Sequence, residues 1–452
     1  MTIDRRSLIG ASLGLGATVS AAHASERSSS PERAAPNASK FAPALIPDDG
    51  RDQTVALQAA INSAAEKDIP LVLPPGRFIV SDLRLRSGSR VIGTARTTTL
   101  VFSGGNAFVT GEKADGLVLN GLKFDGAYKA FDPARSDGLL TFSNSKNVHL
   151  ADLEIQNSSG IGLSLAECGG RVESLLISHA LDAGFKSLDS FGLDVRDNTV
   201  TECANNGILI WRSKQEEDGS VVSGNRISKI RNARGGTGEY GNGINVFRAG
   251  SVLVSGNRIS DCAYTAVRGN AASNIQIIGN SCERLGEVAL YAEFGFQGAL
   301  IANNLIDTAA SGISVTNFND GGRLAVIQGN LIRNLFRREQ EAEDKRGEGI
   351  GVEADAVVTG NTIENAPTVG IQIGWGAYMR DVAVTANVIR NARVGVSVTN
   401  AAGGKCLIAN NLISNTKDGA IRAMDLGVLK GPDLAREPSA SDRIHVTGNV
   451  AV

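Results

Sequence analysis

Residues 193–210 read Leu193-Asp194-Val195-Arg196-Asp197-Asn198-Thr199-Val200-Thr201-Glu202-Cys203-Ala204-Asn205-Asn206-Gly207-Ile208-Leu209-Ile210. The phrase is apolar-x-apolar-x-x-Asn-x-apolar, a short connection, then Gly-apolar-x-apolar. It returns around Asn225, Asn257, Asn280, Asn304, Asn330, Asn361, Asn387, Asn411 and Asn449. From Asn198 to Asn411 the eight intervals average about 27 residues, too short for stacked helix pairs and suited to one coil of a solenoid. Three positions before each Asn stand Val195, Val222, Val254, Ile277, Ile301, Ile327, Val358, Val384 and Ile408; two positions after it stand Val200, Ile227, Ile259, Cys282, Ile306, Ile332, Ile363, Ile389 and Ile413. β-branched residues alternating with polar ones predict short strands with one face inward. Strands one coil apart run the same way and pair in parallel at about 4.8 Å, so the repeat predicts an all-β, single-chain parallel β-helix.

The recurrent Asn is expected at a tight corner in the left-handed conformation, its amide hydrogen-bonded to the coils above and below. The same reading covers a second series, Asn334, Asn365, Asn391 and Asn415, and the Gly before each third strand is read as structural. Weaker copies at 172–177, 148–155 and 117–124 extend the stack to thirteen or fourteen coils.

A solenoid end must be covered. Residues 52–66 predict a helix capped by Asp52 or Thr54 with Leu57, Ala60, Ile61 and Ala64 on one face. Pro70, Pro74, Pro75 and Gly76 mark the entry to the first coil. Asp48-Asp49-Gly50, Asp52, Thr54, the run Ala56 to Ile61 and Leu71-Val72-Leu73-Pro74-Pro75-Gly76-Arg77-Phe78 together resemble the entry segment of the pectate-lyase-like superfamily, and the whole chain is similar to its twin-arginine-translocated repeat proteins. The resemblance implies a right-handed β-helix. It carries no catalytic residue over: the ordered motif set of polygalacturonase-type hydrolases is missing, and Phe131-Asp132-Pro133 lacks the His of the alginate-epimerase motif.

Residues 1–24 carry Arg5-Arg6, a weakly apolar run from Leu8 to Ala22, and Ala22-His23-Ala24 before Ser25. This pattern predicts a twin-arginine signal, hence the twin-arginine translocase as a partner during export to the periplasm or medium. Residues 25–44 read as a flexible leader and 45–452 as one β-helix domain. With 45 basic and 47 acidic residues, the chain lacks the cationic surplus of a nucleic-acid binder. No later apolar run reaches the ~20 residues of a membrane span. Cys203 and Cys262 fall in one inward column two coils apart, roughly 9.6 Å and too far for a disulfide, so the five Cys are expected as buried thiols. His149, His179 and His445 are scattered along the stack, and only His179 lies near the candidate groove.

Outward residues at the end of each third strand align into a stripe of Lys186 and Asp189, Trp211-Arg212, Asn245 with Phe247-Arg248, Arg268 and Asn270, Tyr291 with Glu293-Phe294, and Asn317-Phe318. Aromatic faces stack on sugar rings and Arg forks bind carboxylates, so an acidic polysaccharide is the expected partner. Trp211, Phe247, Tyr291, Asn245 and Asn270 are the candidate substrate contacts. For uronate elimination, Lys186 or Arg212 is the candidate base and Arg248 the neutralising cation, with Asp189 and Glu293 as acids or calcium ligands. For hydrolysis, Asp189 and Glu293 form the carboxylate pair. Insertions at 232–242, 336–348 and 424–441 border this margin, the first as a candidate lid. The sequence thus predicts an exported β-helix engaging polysaccharide, as a lyase, hydrolase or epimerase, or as a non-catalytic carbohydrate-binding or envelope-structural protein.

Overall fold

A computed structural model describes residues 45–236, 238–338, 347–401, 403–437 and 442–452. The expected export signal and leader, and most of the 336–348 insertion, lie outside them. The described chain is a right-handed parallel β-helix. Each coil contributes one strand to a fifteen-stranded sheet in which every neighbouring pair is parallel. After a corner it contributes a second and a third strand to a larger sheet.

The register follows the two apolar columns. Val195 pairs with Val222, Val222 with Val254, and Val254 with Ile277. Across the corner, Val200 pairs with Ile227, Ile227 with Ile259, and Ile259 with Cys282. The weaker N-terminal copies join the same stack, Leu119 against Leu150 and Leu150 against Val172. These side chains are buried in one continuous core. All five Cys are free and buried; desolvation pushes the thiols of Cys203, Cys282 and Cys406 up to about 12, so they behave as small apolar residues.

The helix Thr54–Glu66 buries Leu57, Ala60, Ile61 and Ala64 against the first coil. Asp52 Oδ1 accepts the Thr54 N–H at 2.9 Å, whereas Thr54 Oγ1 turns away to accept from Ser81 N at 2.8 Å. Of the two expected capping residues, Asp52 is therefore the one that serves the helix start.

The asparagine ladder is continuous. Each Asn Nδ2 donates to the Oδ1 of the next, for example Asn257 to Asn280 at 2.9 Å and Asn280 to Asn304 at 3.0 Å. The same Oδ1 accepts the backbone N–H of the Asn before it. One expectation is corrected here. The left-handed residue at this corner is the one before the ladder Asn: Asp197, Gly224, Gly256, Gly279, Asn303 and Gly329 have positive φ, and the ladder Asn do not. The ladder Asn is selected by its buried amide, and its neighbour makes the bend. In the second series the expectation holds: Asn334, Asn365, Asn391 and Asn415 are left-handed, and their exposed amides form a ladder of their own.

The Gly before each third strand serves close approach rather than φ. A Cβ on Gly349 would stand 2.4 Å from Gly370 O and 2.8 Å from Ile363 Cγ2. Gly312, Gly370 and Gly395 face carbonyls in the same way. Gly349→Ala is expected to destabilise the fold by about 1–3 kcal/mol through overpacking, read as a lower urea midpoint; an unchanged midpoint would refute the close-approach account.

Candidate functional site

The third strands carry the candidate residues. Alternation turns every second residue outward. One outward column runs Lys186, Leu209, Asn245, Arg268, Tyr291, Ser314. The next runs Leu188, Trp211, Phe247, Asn270, Glu293. The stripe expected from sequence therefore exists as two adjacent columns, one crossing six coils and the other five.

Its aromatic half is assembled. Trp211 and Phe247 meet edge to face with ring centroids 6.0 Å apart, and the Arg248 guanidinium lies over the Phe247 ring at 4.7 Å. Trp211 Nε1 donates to Asn245 Oδ1 at 3.1 Å, fixing the indole, which also leans on the small cluster Ile161, Ala183 and Leu209.

The ionisable candidates do not converge on one volume. Lys186 Nζ pairs with Asp137 at 2.8 Å. Asp189 Oδ1 accepts from Ser213 N and Oγ at 2.7 and 3.1 Å. Arg212 donates to Ser190 O at 2.9 Å and to Glu216 at 3.1 Å, and Arg248 donates to Ser213 O at 2.8 Å. Asp189 follows Leu188, four coils from Glu293 in the column, a separation of roughly 19 Å at the usual strand spacing. A carboxylate pair for glycoside hydrolysis needs about 5–9.5 Å, so these two form neither that pair nor a shared calcium site. Among the described residues, no group of three or more His, Cys, Asp or Glu is placed to hold a metal ion.

What does converge is a set centred on Arg268. Its Nε and Nη2 both reach Glu293 Oε1 at 2.6 Å, and Asn270 Nδ2 donates to the same oxygen at 2.9 Å. Glu287 Oε2 stands 3.8 Å from Arg268 Nη1 and accepts from Thr265 Oγ1 at 3.3 Å. The Tyr291 ring lies 5.2 Å from the guanidinium. Glu287 and Glu293 are buried, at 4% and 1% exposure. Burial pushes the Glu293 carboxyl above its ordinary value, opposed by Arg268 and Asn270. Burial, with the Glu293 charge, pushes the Tyr291 phenol up to about 12, so it stays neutral.

The cation beside Glu293 is thus Arg268, named in the stripe but given no role from sequence, while Arg248, the expected neutralising cation, lies on the Phe247 ring; Glu287 is a member the sequence reading missed. Glu287 sits in the continuous strand Ser281–Glu293, where second and third strands merge and the Gly-apolar-x-apolar phrase that marks other coils is blurred.

The 232–242 insertion lies against this set. Gly238 has φ +146, and a Cβ there would meet Arg268 Nη1, so the backbone rests on the guanidinium. Tyr264 Oη donates to Gly236 O at 2.8 Å, and Asn242 Nδ2 donates to Gly238 O at 2.9 Å. In the 424–441 insertion, the described part is an antiparallel hairpin of Ile421–Asp425 and Val428–Asp433.

Residues 216–380 match the profile of the family described as right handed beta helix region. Among curated proteins, none matches this chain. Solved structures similar to it include the pre-mature gene product 12 of bacteriophage phi29, at 15% identity and a TM-score of 0.56, covering 88% of this chain and 57% of that one. They also include the catalytic unit of a thermostable GH87 α-1,3-glucanase from Streptomyces thermodiastaticus strain HF3-3, at 17% identity and a TM-score of 0.45, covering 90% and 67%. A third is PfbA, a surface adhesin of Streptococcus pneumoniae, at 14% identity and a TM-score of 0.43, covering 87% and 93%. The chain spans a little over half the length of the phage protein. The likeness is one of fold.

Proposed function

We propose that this chain is an exported, non-catalytic glycan-binding β-helix that holds an acidic polysaccharide along the flank of its third strands. The observation that carries this reading is the edge-to-face pair of Trp211 and Phe247 on the flank, with Arg248 laid over the Phe247 ring. Aromatic faces take the apolar faces of sugar rings, and a neighbouring guanidinium takes a carboxylate. Against catalysis by the residues first singled out stands their geometry: Lys186, Asp189 and Arg212 are each engaged by other protein groups. Export rests on Arg5-Arg6 and the Ala22-His23-Ala24 triplet, with passage through the twin-arginine translocase. Among the described residues, no helix is long and apolar enough to cross a membrane.

The test is a binding screen against acidic and neutral polysaccharides, following affinity together with unsaturated products and reducing ends. Trp211→Ala and Phe247→Ala are each expected to weaken binding at least tenfold, about 1.4 kcal/mol, with no product formed by any variant. Binding indifferent to both substitutions would overturn the reading. A hydrolase, lyase or epimerase remains the second reading, favoured by one observation: Glu293 combines burial, a raised proton affinity and an adjacent Arg268. Product formation abolished by Glu293→Gln would establish it.

A further inference from the structure

A second groove lies at the corner between second and third strands, on the same coils as the aromatic flank but at the other end of the third strand. It has a volume of about 560 Å³ and is lined by Tyr128, His179, Leu181, Glu202, Lys229, Arg231 and Asp261, among others. That size suits a site for a small ligand, typically about 300–1,000 Å³.

Most of its charges are engaged within the protein. Glu202 takes His179 at 2.8 Å on one oxygen and Lys229 at 2.9 Å on the other. Asp261 is held in a two-point pair by Arg284 at 2.7 and 2.9 Å. Glu202, Lys229, Asp261 and Arg284 alternate in sign up the corner, and they and His179 are all left-handed. Arg231 is the exception. Exposed at the groove, it makes no side-chain hydrogen bond or ion pair among the described residues.

The apolar wall is equally unspent. Tyr128 is 49% exposed and Leu181 is 48% exposed. Tyr128 follows Ala127 in a turn where both residues are left-handed, at φ 53 and 49. Asp125 Oδ1 fixes that turn by accepting the Ala127 N–H at 2.9 Å, and the Tyr128 N–H donates to Asn157 O at 2.9 Å. This turn displays an aromatic ring to solvent at one end of the groove, with the exposed Leu181 two coils and the uncommitted Arg231 guanidinium four coils further along.

We infer that this groove is a second glycan subsite, which takes an acidic oligosaccharide along the stack, with one sugar ring on Tyr128 or Leu181 and the carboxylate of a later uronate on Arg231, four coils and roughly 19 Å from Tyr128 at the usual strand spacing. The inference does not need the aromatic flank to bind anything. The probes are trigalacturonate and its methyl ester, titrated calorimetrically into the full chain. Trigalacturonate is expected to bind, with Tyr128→Ala and Arg231→Ala each weakening this event at least tenfold. The methyl ester is expected to bind at least tenfold more weakly than the free acid to the unaltered protein, and equally with it to Arg231→Ala. Arg231→Lys, which keeps the charge, is expected to restore part of the preference for the free acid, and matched thermal melts exclude misfolding. Trp211→Ala leaves the event intact if the groove is an independent site. Affinity unmoved by both Tyr128→Ala and Arg231→Ala, or no binding of trigalacturonate, overturns the proposal. If Trp211→Ala alone removes binding, the flank stands and the groove falls.

Discussion

Asn280→Ala is expected to lower the stability of the β-helix by about 3–5 kcal/mol, since each buried polar group left unpaired costs about 1–3 kcal/mol and such losses are not additive. The side chain is fully enclosed, at 1% exposure. Its Oδ1 accepts from both Asn257 N and Asn257 Nδ2 at 2.9 Å, and its Nδ2 donates to Asn304 Oδ1 at 3.0 Å and Val254 O at 3.1 Å. Alanine strands two donors and a carbonyl in a dry corner across three coils. Asn280→Asp preserves the acceptor but sets a second oxygen against those of Val254 and Asn304, so it is expected to fail as well. The control is Asn391→Ala in the exposed ladder, where water replaces the lost amide and the change should stay within about 0.5 kcal/mol. Urea titrations of the variants decide the matter. Equal effects in the buried and exposed ladders would contradict the account.

Arg268→Met is expected to cost about 3–5 kcal/mol, because it leaves Glu293, at 1% exposure, buried without its cation. The loss has a pH signature. Burial already raises the proton affinity of the folded Glu293. Without Arg268 that affinity rises further, and a carboxyl whose folded value exceeds its unfolded one favours folding only while protonated. The variant's deficit should therefore be smallest in acid, below the ordinary carboxylate value of 4.5, and grow as pH rises through the raised value of Glu293. Adding Glu293→Gln should return much of the stability at neutral pH. A deficit that is flat with pH and unrelieved by the glutamine would show that Arg268 acts by packing alone.

Asp355 has the opposite sign. Held by Arg380 and Arg323 at 2.6 Å each, its carboxyl is drawn down to about 2, first by the Arg380 hydrogen bonds. Its contribution is present above the ordinary value of 3.8 and lost as pH falls toward 2. Asp355→Asn should flatten the acid limb of the stability profile over that interval, as followed by circular dichroism.

The fold was legible because a solenoid writes its contacts as a period. Val195, Val222 and Val254 share a column at equal distances from their Asn, and they pair as that spacing requires. The bend itself was misassigned to the Asn, although the signal lay one residue earlier in Gly224, Gly256 and Gly279. The stripe was legible for the same reason as the core, since alternation fixes which residues face outward. Its pairings were not. Arg268 reaches Glu293 diagonally between coils, and which cation wins depends on side-chain reach and on the backbone at Gly238 resting above. Tyr128 carried no repeat signal, because it belongs to a connection whose length differs from coil to coil.

The most direct test of the proposed function is the emission of Trp211, recorded in a Trp375→Phe background as the full chain is titrated with polygalacturonate and then with a neutral glucan. The account predicts a saturable change with the acidic polymer that Phe247→Ala abolishes while the protein stays folded. An emission spectrum that neither polymer alters would contradict it.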